Sequence, residues 1–103
     1  MANIGVAGGI DLYGGSTLES SVGAAASAQV YSTWAGVIGC ELVGPLLLRE
    51  DVVKTPLEYQ AGELAVPAGP GLGVELDEDA VAFPRPPVRP GRRSAGFAAS
   101  SGR

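Results

Sequence analysis

The chain has no histidine, one cysteine and one lysine among 103 residues. Cys40 therefore cannot close an internal disulfide, and no imidazole is available to activate it as a nucleophile. A single thiol fits a reducing, cytoplasmic setting. Its place between Gly39 and Glu41, in an apolar run, predicts burial. The one lysine, Lys54, lies near Asp51 and Thr55 in a polar stretch and reads as a solvated surface side chain. A net charge of −4 and the lack of a basic stripe interleaved with aromatics argue against nucleic acid as a partner. Long apolar runs are missing too. No stretch approaches the ~20 apolar residues that span a bilayer, and Met1 is not followed by a basic region and a sustained apolar core. The expectation is a protein with no membrane association and no export signal. The window from Val37 to Leu48 is the most hydrophobic, but Glu41 and the pair Gly44 and Pro45 break it into a buried strand and a turn. Asp77, Glu78 and Asp79 lack the glycine and ligand spacing of a calcium loop. In a strand they would alternate between faces, so they read as a solvated acidic turn.

What is present has α/β character. Ile10, Leu12 and Tyr13 form a short β-favouring run that Gly14 and Gly15 terminate by allowing a sharp turn. From Ser20, residues Val22, Ala25, Ala26, Gln29, Val30 and Thr33 recur at helical spacing, with Ser20 or Ser21 placed to cap the first amides. The predicted helix runs from Ser20 to about Thr33, and Ala24, Ala25, Ala26 and Ala28 suit it to close packing. Trp34 is expected to pack against the exterior of the sheet. Val37, Ile38, Leu42 and Val43 predict a second strand, stopped by Gly44 and Pro45. Glu63 to Val66 and Leu72 to Leu76 alternate as two further short strands would, and Gly69, Gly71 and Gly73 read as a turn between them. Glu19 lies in the first strand-to-helix connection, where the partial positive charge of a helix N-terminus favours an ionised acid. On position alone it reads as a helix-start carboxylate, and its candidacy as a catalytic residue rests on the resemblance that follows.

The order of these motifs carries a resemblance. Gly14-Gly15, Ser16-Thr17-Leu18-Glu19, a small-residue helix, Trp34, Glu41-Leu42-Val43-Gly44-Pro45-Leu46-Leu47-Leu48, Asp51-Val52-Val53, Pro56-Leu57-Glu58-Tyr59 and Gly69 to Asp79 follow one another as in the C-terminal part of muconate and chloromuconate cycloisomerases. These belong to the mandelate racemase and muconate lactonizing branch of the enolase superfamily. The likeness covers roughly residues 6–83. It implies the last strand-helix units of a TIM-like barrel plus a return segment, incomplete as a domain, because a whole barrel takes ~250 residues. It implies an isomerase of aromatic catabolism, interconverting cis,cis-muconate, a small dicarboxylate, and a muconolactone, in enzymes that are homo-oligomeric when intact. Glu19 matches the family's acid near the substrate carboxylate, as proton donor or as electrostatic anchor. The family also uses a lysine base and three carboxylates that hold manganese or magnesium. None of these has a counterpart here, so the chain is expected to be inactive alone. Gln29 stands where close relatives often carry histidine. Ser16 to Gly23, STLESSVG, is similar as well to o-succinylbenzoate synthases, racemases and dipeptide epimerases of the same superfamily, and an assembly module without catalysis is a further alternative. Residues 84–103, with Pro84, Pro86, Pro87 and Pro90 among four arginines and a Gly, Ala and Ser end, depart from the family and read as a disordered tail.

Overall fold

The computed structural model describes residues 1–82. The proline- and arginine-rich segment that begins at Pro84 lies outside the described residues. Helix α1 spans Ala2–Ala7 and tolerates Gly5 within it. It stops at Gly8 and Gly9, and Gly9 takes φ +70 to turn the chain. Gly5 brings the helix against the next strand, since a Cβ there would lie 3.1 Å from Leu12 Cδ2.

A parallel βαβ unit follows. Strand β1 is Leu12–Gly14, helix α2 is Ser21–Tyr31 and strand β2 is Val37–Cys40, with Tyr13 opposite Gly39 and Gly14 opposite Cys40. Parallel neighbours need such a crossover, and the helix lies back on the sheet it connects. The helix is where the sequence predicts it, but its inward face is rotated by one position. Ser21, Ala24, Ala25 and Ala28 are the buried residues, an i, i+3, i+4, i+7 stripe of the smallest side chains. The face read from Val22, Ala25, Ala26, Gln29 and Val30 is largely its flank, with Val30 exposed. Close approach explains the difference: alanine lets helix and sheet backbones meet, whereas valine would hold them apart.

Two expectations of burial fail at the same junction. The ring of Tyr31 lies directly over Gly14, where a Cβ would come within 2.5 Å of it. The helix therefore covers β1 and leaves Cys40, at the end of β2, exposed. Trp34 is exposed too, in the turn beyond the helix, with its ring tilted at 53° and 5.4 Å from that of Tyr31. Tyr13, beside Gly39 on one face of the sheet, and Ile38, on the other, are 62% and 68% exposed, so the βαβ unit presents apolar surface without a cover among the described residues.

The second strand ends at Cys40. Gly44 and Pro45 do not simply stop the chain but begin a one-turn helix α3, Gly44–Leu47, with proline in the first turn, where its missing N–H costs no hydrogen bond. Among the described residues the strands of the return segment pair within that segment. Strands β3 (Tyr59–Gln60) and β4 (Glu63–Leu64) form an antiparallel hairpin, and Val53 bridges Leu76 in antiparallel sense. The hairpin turns on Ala61 and Gly62, both at positive φ (51 and 83), as a two-residue primed turn requires. Leu72 and Val74 form no strand; Gly71 and Gly73 turn the chain there. Asp77 caps α4, Glu78–Val81, accepting from the N–H groups of Asp79 (3.0 Å) and Ala80 (3.2 Å). The three acids thus start a helix, where their charge suits its dipole. No helix among the described residues is long and apolar enough to cross a membrane.

Candidate functional site

Both parallel strands point their C-terminal ends the same way, and the loops after them meet. The first runs from Gly15 to Ser20. Within it Leu18 adopts φ +58, a left-handed conformation rare for a residue with a branched side chain and typical of functional loops. That turn delivers Glu19 to the start of α2. Glu19 Oε2 accepts the Thr17 N–H at 2.7 Å. Its other oxygen, Oε1, is buried and has no partner among the described residues. An unmatched buried acceptor is destabilising by about 1–3 kcal/mol, so this oxygen is primed to take a donor from a bound group. Around it Gly15, Ser16, Thr17, Gly23 and Ser27 line an open pocket of ≈ 460 Å³.

Glu19 does not cap the helix. The N-cap residue is Ser20, whose side chain makes no capping bond. Asp51, reaching in from the return segment, does that work: its carboxylate accepts the Ser21 N–H at 3.2 Å to each oxygen, the Ser21 hydroxyl, and the Val52 N–H at 2.7 Å. Ser21 is fully buried beneath it. Two more bonds tie the return segment to the unit, one beyond the end of β2 and one at the last turn of α2. Tyr59 donates its hydroxyl to the Leu42 carbonyl at 2.6 Å, and Gln29 Nε2 donates to the Pro67 carbonyl at 2.7 Å. Partial burial raises the Tyr59 phenol above its usual range, helped by the negative charges of Asp51, Glu19 and Cys40. Asp51, Glu19 and Tyr59 thus share one neighbourhood.

Asp51 and Tyr59 are the residues that sequence reasoning missed in functional terms. Both were visible inside motifs, but no local pattern connects Asp51 to a helix start thirty residues earlier. Lys54 stands apart from the site: it is exposed, pairs with Glu75, and has its ammonium held above the usual lysine range by that carboxylate. It does not line the Glu19 pocket. Among the described residues no group of three or more His, Cys, Asp or Glu side chains could hold a metal ion. The residues here do not fit a manganese or magnesium site, and no step is derived through one.

The profile of the family described as Enolase C-terminal domain-like matches residues 1–80. Muconate cycloisomerase 1 of Acinetobacter baylyi is 52% identical over 80 residues, covering 77% of this chain and 22% of that protein. Among solved structures, the muconate lactonizing enzyme from Klebsiella pneumoniae superposes with a TM-score of 0.76 at 50% identity, over 80% of this chain and 23% of that one. The 2-chloromuconate cycloisomerase from Rhodococcus opacus 1CP gives a TM-score of 0.74 at 51% identity, over 78% of this chain and 22% of its own. The chain thus spans less than a quarter of the length of the relatives it matches.

Proposed function

The chain belongs to the Enolase C-terminal domain-like family, and from that premise we propose that it supplies the acid-bearing strand-helix units of a muconate cycloisomerase active site. The reaction is the interconversion of cis,cis-muconate and muconolactone, and the chain is inactive until other barrel segments complete the site. The observation that supports this most directly is the state of Glu19. It sits at the C-terminal end of a parallel strand, where barrel enzymes place their chemistry, with one oxygen fixed by Thr17 and the other desolvated and free.

Such a carboxyl can hold a proton between itself and a substrate carboxylate, relieving the repulsion of two anions, and can deliver that proton as charge develops. The open hydroxyl-lined pocket beside it accommodates a polar group. The lysine base and the metal-holding carboxylates of this chemistry are assigned to segments outside this chain, which would pack on the exposed face carrying Tyr13.

The test is complementation. The chain is mixed with a separately produced polypeptide carrying the remaining barrel strands of a relative, in manganese-containing buffer, and loss of muconate absorbance is followed. Turnover is expected only in the mixture, and Glu19→Gln is expected to lower it by about 10²–10⁴-fold. Turnover by the chain alone would overturn its incompleteness, and an unimpaired Glu19→Gln mixture would overturn the acid role.

A further inference from the structure

We infer that Gly44 and Gly23 are positioning residues for Glu19, together forming a seat that only side-chain-free positions can provide. Gly44 opens α3, in the loop after β2, and is buried against the preceding loop. A Cβ built on it would lie 2.3 Å from the Glu19 carbonyl oxygen, 2.8 Å from the Glu19 nitrogen and 3.0 Å from the Leu18 carbonyl carbon. All three are backbone atoms, so no rotamer change can make room. Its φ is not in the left-handed range, so glycine is needed there for space and not for torsion. The second strand-end loop therefore acts as a stop against which the backbone of the acid rests.

Gly23 does the same for the side chain. It lies one turn into α2, and a Cβ there would meet Glu19 Cβ and Cγ at 2.7 Å each. Glycine in a helix interior lowers helix stability, so its presence requires a compensating reason. The close approach supplies one: the Glu19 chain folds back over the first helical turn, and this brings Oε2 to the Thr17 N–H. With Leu18 held left-handed, the acid is fixed from three directions: its preceding torsion, its backbone and its side chain.

The inference rests on the reading of Glu19 as the acid, but its test reads the seat and not the chemistry. An amide that donates to a carboxylate shifts as that carboxylate ionises. In the native chain the Thr17 amide proton, followed by NMR, is expected to shift as Glu19 titrates, and the Ser21 amide to shift with Asp51. Gly44→Ala is expected to abolish the Thr17 response while the Ser21 response and the Val53–Leu76 bridge signals persist. Gly23→Ala, which favours the helix and so keeps the fold even if the first variant loses it, is expected to abolish the Thr17 response as well. A Thr17 amide indifferent to pH in the native chain overturns the inference, as does an unchanged Thr17 response in folded Gly23→Ala. An intact seat with a catalytically silent Glu19 would instead fail the functional reading alone.

Discussion

Replacing Asp51 by alanine should be the most damaging single polar substitution in the described chain. Among the described residues its carboxylate is the one side chain on the first amides of α2, and it also takes the hydroxyl of a fully buried serine. Loss of a helix N-cap costs about 1 kcal/mol. Leaving the Ser21 donors buried and unmatched adds about 1–3 kcal/mol, for a total near 2–4 kcal/mol. In a domain of this size 1 kcal/mol moves the melting temperature by about 4–8 °C, so the midpoint should fall by roughly 10 °C or more. Circular dichroism melts of the native chain, Asp51→Ala and Asp51→Asn would measure this. The asparagine keeps one acceptor and should lose about half as much. The double variant with Ser21→Ala isolates the contact, because a real clasp gives a coupling of about 1 kcal/mol or more. An Asp51→Ala loss below ~0.5 kcal/mol with additive singles would refute the remote cap.

Other expectations follow from named features. Tyr59 has a raised folded-state pKa, so its contribution is fully present below the ordinary phenol value of 10.0 and is lost as pH rises through the folded value. An absorbance titration should show one tyrosine ionising late, and Tyr59→Phe should remove that component; no late component in the native chain would count against the Tyr59 environment. Lys54, also raised by Glu75, adds to the same alkaline loss, and salt should weaken its part because the pair is exposed. Ala61→Gly should raise the melting point modestly, by about 0.5 kcal/mol in stability, since relief of left-handed strain exceeds the added chain entropy; a lower melting point would argue against the primed turn. Cys40 should react with a thiol reagent in the folded chain nearly as fast as in urea, and strong protection would restore the burial expected from sequence.

The parts legible in the sequence are those whose cause is local. Gly14 and Gly15 near a strand end, a helix starting at Ser20 and Ser21, and Glu19 between them follow from local turn signals and lie where read, but the serine cap does not form, because Asp51 takes the Ser21 N–H instead. The inward face of α2 was misjudged because hydrophobicity points to valine whereas contact distance selects alanine. Gly44 and Pro45 read as a breaker in one dimension, since a four-residue helix leaves no periodicity to detect. Cys40 depends on which strand the helix covers, a choice made by Tyr31 over Gly14 and invisible in one dimension. Of the two return strands that alternation predicts, Glu63–Leu64 forms and pairs with Tyr59–Gln60, a partner too short to show a pattern, whereas Leu72 to Val74 turns at Gly71 and Gly73 and forms none. The resemblance located Glu19, but only the coordinates show its orphaned oxygen and the two glycines that hold it.

The two kinds of strand pairing also set an order of events in time. The β3–β4 hairpin closes over Ala61 and Gly62 alone, a contact that chains of this kind make in about 1–10 μs. The β1–β2 pair cannot register until α2 has formed and carried the chain back, and non-local parallel contacts of that sort are slow. Gly44 meets Glu19 only after that crossover is complete. The return hairpin is thus an early, local event, whereas Glu19 meets Gly44 among the last.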